Sequence, residues 1–204
     1  MLNARASSFD ASRSSPAWWS SAPSSSSRSS FARLASAGTN TIARTFDQAD
    51  EYPHDLVEQM KQLGLFGATI GQEWGGLGLS ASAYARIVTR ISQAWMAPTG
   101  IFNSHLIMAA CVERNGTEEQ KRTWLPRFAT GELRGGIGLT EPNAGTDLQA
   151  IRTLARRDGD HYVLDGTKTW ITNGVYGTCF AILTKTRPDA EPRHAGMSMF
   201  IAEK

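Results

Sequence analysis

Cysteine, long apolar runs and net charge are all scarce in this chain of 204 residues. Cys111 and Cys179 are too few for a disulfide framework, and neither has metal-ligand spacing. Both have apolar neighbours, so we expect buried, inert thiols in a reducing compartment. No apolar run approaches the ~18 residues that a membrane-spanning helix requires. With 21 basic and 19 acidic residues the formal net charge is +2, which argues against nucleic-acid binding.

Signals for metal binding or nucleophilic catalysis are also missing. The four histidines are scattered, with no HExxH or similar cluster, so we predict no metal site. No Ser-His-Asp or Cys-His arrangement suggests a nucleophile. Gly136 and Gly138 begin the spacing of a dinucleotide-binding fingerprint, but Glu141 stands where the third glycine belongs. We therefore reject a Rossmann interpretation.

Acidic residues are nearly absent from residues 1–37, where Asp10 is the only one beside fourteen serines and four arginines. Such a segment cannot bury enough apolar surface to offset its ordering entropy. Three interpretations stay open: a mitochondrial transit peptide, a disordered tail, or an artefact of the start site or reading frame. We expect the protein in the mitochondrial matrix if the leader is a transit peptide, and in the cytoplasm if the source is bacterial.

Residues 38–132 show the pattern of a helical domain. Apolar residues recur there at helical spacing. Ser80 is placed to cap one helix, and Thr117 with Gln120 forms the pattern of a capping box. A short helix follows that box, and we expect Pro126 to break or restart it.

Strand patterns replace helical ones over residues 133–204. Asp158-Gly159 and Asp165-Gly166 are both hairpin signals. Because helices and strands fall in separate blocks, the sequence predicts an α+β fold and not alternating βαβ units. The predicted strands are residues 135–139, 151–157, 162–165, 168–172, 179–184 and 197–202.

The most informative stretch is residues 135–147, GGIGLTEPNAGTD. An apolar run that ends in Pro, Asn and Gly predicts a strand leading into a tight loop. Thr140 and Thr146 supply hydroxyls, and Gly145 has no Cβ, so a ligand can approach the backbone closely. Loop N–H groups beside small polar side chains suit an anionic or heteroaromatic ligand.

A second stretch, residues 168–174, reads KTWITNG. We predict a strand here, and side chains two residues apart on a strand point to the same side. Trp170 and Thr172 would then present an aromatic face and a hydroxyl to one ligand.

TEPNAGTD followed by YVLDGTKTWITNG closely resembles the acyl-CoA dehydrogenase family, and the resemblance covers residues 46–204. It implies an N-terminal helical domain, a central β domain that holds FAD, and a C-terminal four-helix bundle. We therefore divide the chain into a disordered leader (1–37), a helical domain (38–132) and an incomplete antiparallel β domain (133–204).

The resemblance also assigns roles. Thr140 and the backbone near Leu139 should bond the polar edge of the flavin, and Gly145 and Thr146 should lie near the pyrophosphate. Thr146 should also lie near the acyl-CoA substrate. Trp170 should pack beside the flavin ring, and the Thr172 hydroxyl should approach flavin N5. The residues assigned to FAD are Ile137, Leu139, Thr140, Gly145, Thr146, Trp170, Ile171 and Thr172.

The implied reaction is dehydrogenation of an acyl-CoA thioester to its 2,3-unsaturated product. In the family a glutamate takes the α-proton, electron-transfer flavoprotein accepts the electrons, and the enzyme is a homo-oligomer. That glutamate belongs to the C-terminal bundle, past residue 204, and Glu141 occupies a turn position instead. We therefore expect no catalytic base in this chain and no activity from it alone. A related flavin oxidase or monooxygenase, or a non-catalytic remnant without flavin, remains an alternative.

Overall fold

Helices precede strands in the computed structural model, which describes residues 37–204. The order confirms the α+β prediction. Of the predicted leader, residues 1–36 lie outside the described residues. The helices are α1 (Ala37–Ala49), α2 (His54–Gln62), α3 (Ala81–Ala94), α4 (Met96–Asn115) and α5 (Glu118–Ala129).

Two helix starts follow the capping rules read from the sequence. The backbone N–H of Ala83 donates to Ser80 Oγ over 3.2 Å at the start of α3. At the start of α5, Gln120 N–H donates to Thr117 Oγ1 at 3.2 Å, and Thr117 N–H donates to Gln120 Oε1 at 2.9 Å. Both bonds of the capping box are therefore formed.

The prediction that Pro126 breaks its helix is wrong, because α5 continues through it to Ala129. A proline in a helix removes one N–H, here the partner of the Arg122 carbonyl. Arg122 and Pro126 both lie on the exposed side of α5. Leu125 and Phe128 are fully buried on the other side, and their packing holds the helix together across the missing bond.

The main hydrophobic core lies between the helices and one face of the sheet. The helical half contributes the large side chains, and the sheet contributes small ones, Cys179 and Ala181. Small strand residues let the helices approach the sheet closely. The largest fully buried apolar side chains are Phe66, Phe102, Phe128, Met60, Leu65, Ile70, Ile91, Met108, Leu125, Ile151 and Val57.

The sheet is mixed, with strand order β1-β4-β2-β3 and β5 on the other edge of β4. The β2–β3 hairpin and the β4–β5 pair are antiparallel, as expected. The short β1 lies parallel to β4, and β2 meets β4 in parallel through one residue pair, so the sheet is not wholly antiparallel as predicted. The strands are β1 (Gly135–Gly138), β2 (Leu154–Asp158), β3 (His161–Asp165), β4 (Cys179–Lys185) and β5 (Met197–Glu203).

Helix α4 and strand β1 are in close contact because β1 is rich in glycine. A Cβ added to Gly136 would lie 2.5 Å from Ser104 Oγ, and one added to Gly135 would lie 1.4 Å from the Cys179 carbonyl oxygen. Neither position has room for a side chain. Gly136 therefore lets α4 approach β1 closely, and Gly135 lets β4 do so.

One predicted strand and one predicted hairpin are absent from the described chain. Residues 168–172 form an irregular segment, because Trp170 has a left-handed backbone conformation with φ of 57°. Asp165-Gly166 does not turn into a partner strand, and the chain leaves the sheet there. The other hairpin signal is confirmed, since Asp158 pairs with His161 around Gly159.

Candidate functional site

The first motif folds as a tight turn at the end of β1. Glu141 N–H donates to the Ala144 carbonyl at 2.8 Å, and Ala144 N–H donates back at 3.2 Å. Pro142 and Asn143 form the exposed tip. A Cβ added to Gly145 would meet nothing within 4 Å, so the backbone there is open to a ligand.

Glu141 is the buried centre of this turn, with 7% of its surface exposed. Lys168 Nζ donates to Glu141 Oε1 at 2.8 Å and also to the Leu139 carbonyl at 3.0 Å. The backbone N–H groups of Arg152 and Thr153 donate to the same carboxylate at 2.6 and 2.9 Å, and Thr153 Oγ1 donates at 2.5 Å.

These contacts decide the protonation state of Glu141. Burial by itself would raise the pKa of the carboxyl group, but the hydrogen bonds from Lys168, Thr153 and Arg152 outweigh it and lower the pKa to about 2. The carboxylate is therefore ionised at neutral pH and saturated with donors. Such a group makes a poor proton acceptor, because a general base works best with a pKa near the working pH.

The second motif runs back along β1 without forming a ladder. Thr169 N–H donates to the Thr140 carbonyl at 2.9 Å, which joins the two motifs directly. Further on, Asn173 Nδ2 donates to the Gly135 carbonyl at 2.6 Å and to the Ile101 carbonyl at 2.9 Å. The segment therefore covers the edge of β1 that faces away from β4.

The second motif and the residues that follow it expose large side chains to solvent. Trp170 is 93% exposed. Val175 and Tyr176 follow it on the same segment and are also exposed. The Tyr176 ring stacks on Tyr52 with centroids 3.9 Å apart, which ties the end of the segment to the helical half. A large exposed indole of this kind is typical of a binding surface.

The predicted site residues separate into exposed and enclosed positions. Gly145, Thr146, Trp170 and Thr172 are exposed, while Leu139, Thr140 and Ile171 are half-buried. The Ile137 side chain packs against the helical core, so only its backbone is available to a ligand on the sheet edge. The roles assigned to these residues stay predictions.

A cavity of about 340 Å³ lies beside the second motif, lined by Gly138, Lys168, Ile171, Gly174, Phe180 and Ile182. Phe180 and Ile182 alternate along β4 with the core residues Cys179 and Ala181, so the cavity lies on the face of the sheet opposite the helices. Of the predicted residues it includes only Ile171. Its one charged lining residue, Lys168, donates to Glu141. This mainly apolar cavity therefore has few groups that could hydrogen-bond a polar ligand.

Lys168 and Asn173 are site residues that the sequence reasoning missed, and Glu141 was treated only as a turn residue. The one available signal was the presence of opposite charges, one in each motif. Their pairing joins residues 27 positions apart, and sequence spacing alone does not predict such a contact.

The two thiols take no part in this site. Cys179 is buried and Cys111 is partly buried. Burial raises the pKa of both, to about 12 for Cys179, so neither forms a reactive thiolate near neutral pH. Within residues 37–204, no three His, Cys, Asp or Glu side chains come together as metal ligands. No helix of that part of the chain is long and apolar enough to cross a bilayer.

Comparison with known families explains why these two motifs occur together. Residues 24–132 match the model of the acyl-CoA dehydrogenase N-terminal domain, and residues 136–204 match that of the acyl-CoA dehydrogenase middle domain. The chain belongs to the acyl-CoA dehydrogenase family. The two matches meet near the change from helices to strands, between Ala129 and Gly135.

Individual members of the acyl-CoA dehydrogenase family agree with this assignment. The short-chain-specific acyl-CoA dehydrogenase of Clostridium acetobutylicum is 39% identical over 80% of this chain and 43% of its own length. The solved acyl-CoA dehydrogenase of Geobacillus kaustophilus is 30% identical, with a TM-score of 0.78 over 89% of this chain and 48% of that one.

A further solved structure concerns the electron-transferring flavoprotein of Acidaminococcus fermentans and flavin-based electron bifurcation. It is 32% identical, with a TM-score of 0.80 over 88% of this chain and 47% of that one. The chain thus spans less than half the length of each of these three proteins.

Proposed function

We propose that this chain carries the flavin-facing part of an FAD-dependent acyl-CoA dehydrogenase. One observation carries the proposal: the Thr169–Thr140 hydrogen bond joins the two family motifs edge to edge, beside an indole that is 93% exposed. A flat heteroaromatic ring has room against that indole, and the neighbouring loops offer hydroxyls and open backbone.

The residues present fit FAD. The exposed Trp170 face suits stacking against the flavin ring, and the exposed Thr172 hydroxyl is free to donate to the ring edge. Gly145 and Thr146 are exposed on the first motif and suit the pyrophosphate. Because Gly145 has no Cβ, phosphate oxygens can reach the backbone N–H groups of the loop. When bound, FAD would supply the hydride acceptor for oxidation of the thioester at its β-carbon.

The residues of this chain would have binding and orienting roles. Trp170 and Thr172 would orient the ring, and Thr146 would also approach the acyl-CoA. Glu141 is not the base that takes the α-proton, because its carboxylate is buried, paired with Lys168 and ionised with a pKa of about 2. We propose that the base is a glutamate outside residues 1–204 and that the isolated chain has no turnover.

Partners and location remain part of the proposal. The implied substrate is an acyl-CoA thioester, with electron-transfer flavoprotein as the acceptor of electrons and a homo-oligomer as the full-length assembly. The protein would work in the mitochondrial matrix or in a bacterial cytoplasm, according to the nature of the leader.

FAD binding can be measured with the full 204-residue chain. We expect added FAD fluorescence to be quenched on binding, and Trp170→Ala to raise the Kd by about 10-fold because ring stacking is lost. Met96→Ala is the matched control, since Met96 is also an exposed apolar side chain, 74% accessible, but lies in the helical half.

Two outcomes would contradict the proposal. If the folded wild-type chain does not quench FAD, a non-catalytic remnant is the better interpretation. If acyl-CoA is turned over by the isolated chain, the claim of an external base is wrong. Should the product then be peroxide or an oxygenated acyl group and not the enoyl thioester, an oxidase or monooxygenase replaces the dehydrogenase.

A further inference from the structure

The second motif holds an unusual backbone conformation. Two non-glycine residues within four positions, Trp170 and Asn173, have positive φ angles of 57° and 67°. Side chains disfavour this left-handed region, especially one as bulky as indole. Strained residues of this kind persist only where the surroundings hold them, and they concentrate at ligand sites.

One end is held by Lys168. Its side chain is 11% exposed, and its ammonium group donates to Glu141 Oε1 at 2.8 Å and to the Leu139 carbonyl at 3.0 Å. The two acceptors belong to the strand end and turn of the first motif. Because Glu141 is itself held by Thr153 and Arg152, the anchor for Lys168 is rigid.

The other end is held by Asn173. Its side-chain amide donates to Gly135 in β1 at 2.6 Å and to Ile101 in α4 at 2.9 Å. Its own carbonyl accepts from Gly177 N–H at 2.6 Å, which closes the following turn. Asn173 therefore ties the segment to a strand and a helix at once.

Between these two ends lie the residues that face outward. Thr169 is bonded to Thr140, and the next three residues include the exposed Trp170 and Thr172. Within the described residues neither side chain makes a polar contact of its own, and the indole is almost wholly accessible. Their orientation is therefore set by the polar contacts on either side of them.

We propose that Lys168, acting with Glu141, and Asn173 are positioning residues that hold Trp170 and Thr172 in the orientation that binds the flavin. The inference rests on the proposed function for the identity of the ligand. The contacts of Lys168 and Asn173, called the clamp below, are a property of the protein alone.

The test compares Lys168→Met and Asn173→Ala in the full chain with two controls. Lys121→Met removes an ion pair to Glu118 at 3.0 Å on α5, and Asn115→Ala removes an amide bond to the Cys111 carbonyl at 3.1 Å on α4. Each control deletes the same chemical group in the helical half. Backbone hydrogen exchange is measured for residues 166–177 and for α4, together with the Kd for FAD.

We expect both clamp variants to speed exchange in residues 166–177 by at least about 10-fold while α4 stays protected, since only the local hydrogen bonds are lost. The Kd for FAD should rise by at least about 10-fold in folded protein, as the bound orientation becomes a minor state. The controls should change neither quantity.

Unchanged exchange in residues 166–177 of both clamp variants would overturn the positioning role, as would faster exchange with an unaltered Kd. If the wild-type chain binds no FAD, the proposed function fails separately. The exchange data then still decide whether Lys168 and Asn173 hold the segment.

Discussion

The helical half and the two motif segments are stabilised in different ways. The helical core consists of side chains such as Phe66, Phe102 and Phe128, none of them measurably exposed. The motif segments are held by a buried ion pair and side-chain bonds to backbone carbonyls, and they leave Trp170 in solvent. Apolar packing is non-directional, whereas hydrogen bonds and ion pairs fix orientation. The contrast indicates an apolar scaffold on one side and, on the other, exposed segments whose orientation is fixed by polar contacts.

The largest expected effect on stability comes from removing one large side chain from the core. Phe102→Ala should lower the free energy of unfolding by about 3–5 kcal/mol, because it removes a fully buried ring and leaves a cavity. Urea unfolding followed by circular dichroism measures the loss. Met96→Ala, at an exposed position, should change it by less than about 0.5 kcal/mol. A loss below about 1 kcal/mol for Phe102→Ala would contradict the assignment of this core.

Acid pH should separate the two regions. In the core, burial is the main cause that lowers the pKa of His105 from 6.5 to about 4, although its Nε2–H donates to the Phe128 carbonyl at 3.1 Å. In the motif region, hydrogen bonds lower the pKa of Glu141 from 4.5 to about 2. As the pH drops below the ordinary pKa of each group, the unfolded chain binds the proton before the folded chain does. The free energy of unfolding therefore decreases as the pH is lowered.

The His105 contribution should therefore be lost between pH 6.5 and about 4, and the Glu141 contribution between pH 4.5 and about 2. For His105 the shift corresponds to a loss on the order of 3 kcal/mol below about pH 4, relative to neutral pH. The free energy of unfolding should be measured from pH 7 to 2.5. Its decrease below pH 4.5 should be smaller in Glu141→Gln, and its decrease between pH 6.5 and about 4 should be absent in His105→Phe. An unchanged acid dependence in either variant would refute the corresponding cause.

The smallest effect on stability is expected at Trp170. Trp170→Ala should change the free energy of unfolding by less than about 0.5 kcal/mol, because the side chain is 93% exposed. Trp124→Ala, the same substitution in α5, should cost at least about 1 kcal/mol, because that indole stacks on Phe128 with centroids 6.0 Å apart. Equal losses of unfolding free energy at the two tryptophans would contradict the distinction between the packed scaffold and the exposed motif segments.

Local features were predictable from sequence where a short-range rule decides them. Ser80 and the Thr117–Gln120 box cap their helices because a side chain three residues from a free N–H reaches it in any context. The Asp158-Gly159 hairpin follows from the same kind of local geometry. Pro126 was mispredicted, because the burial of Leu125 and Phe128 outweighs one missing hydrogen bond.

The conformation of the second motif was not predictable in this way. KTWITNG contains the β-branched and aromatic residues that strands favour, but Trp170 and Asn173 are left-handed. The contacts that impose this shape come from Glu141, Gly135 and Ile101, which lie 27 to 72 residues away along the chain. Tertiary contacts of this range override local propensity.

From the amino-acid order alone came the α+β class, the helix caps and the two motifs that mark the acyl-CoA dehydrogenase family, since each depends on residue type over a short span. Only the folded chain decided that Glu141 is a buried anchor and that Trp170 faces outward. The physical reason is that the state of a charge and the exposure of a ring depend on every group that surrounds them, and those groups are brought together by folding.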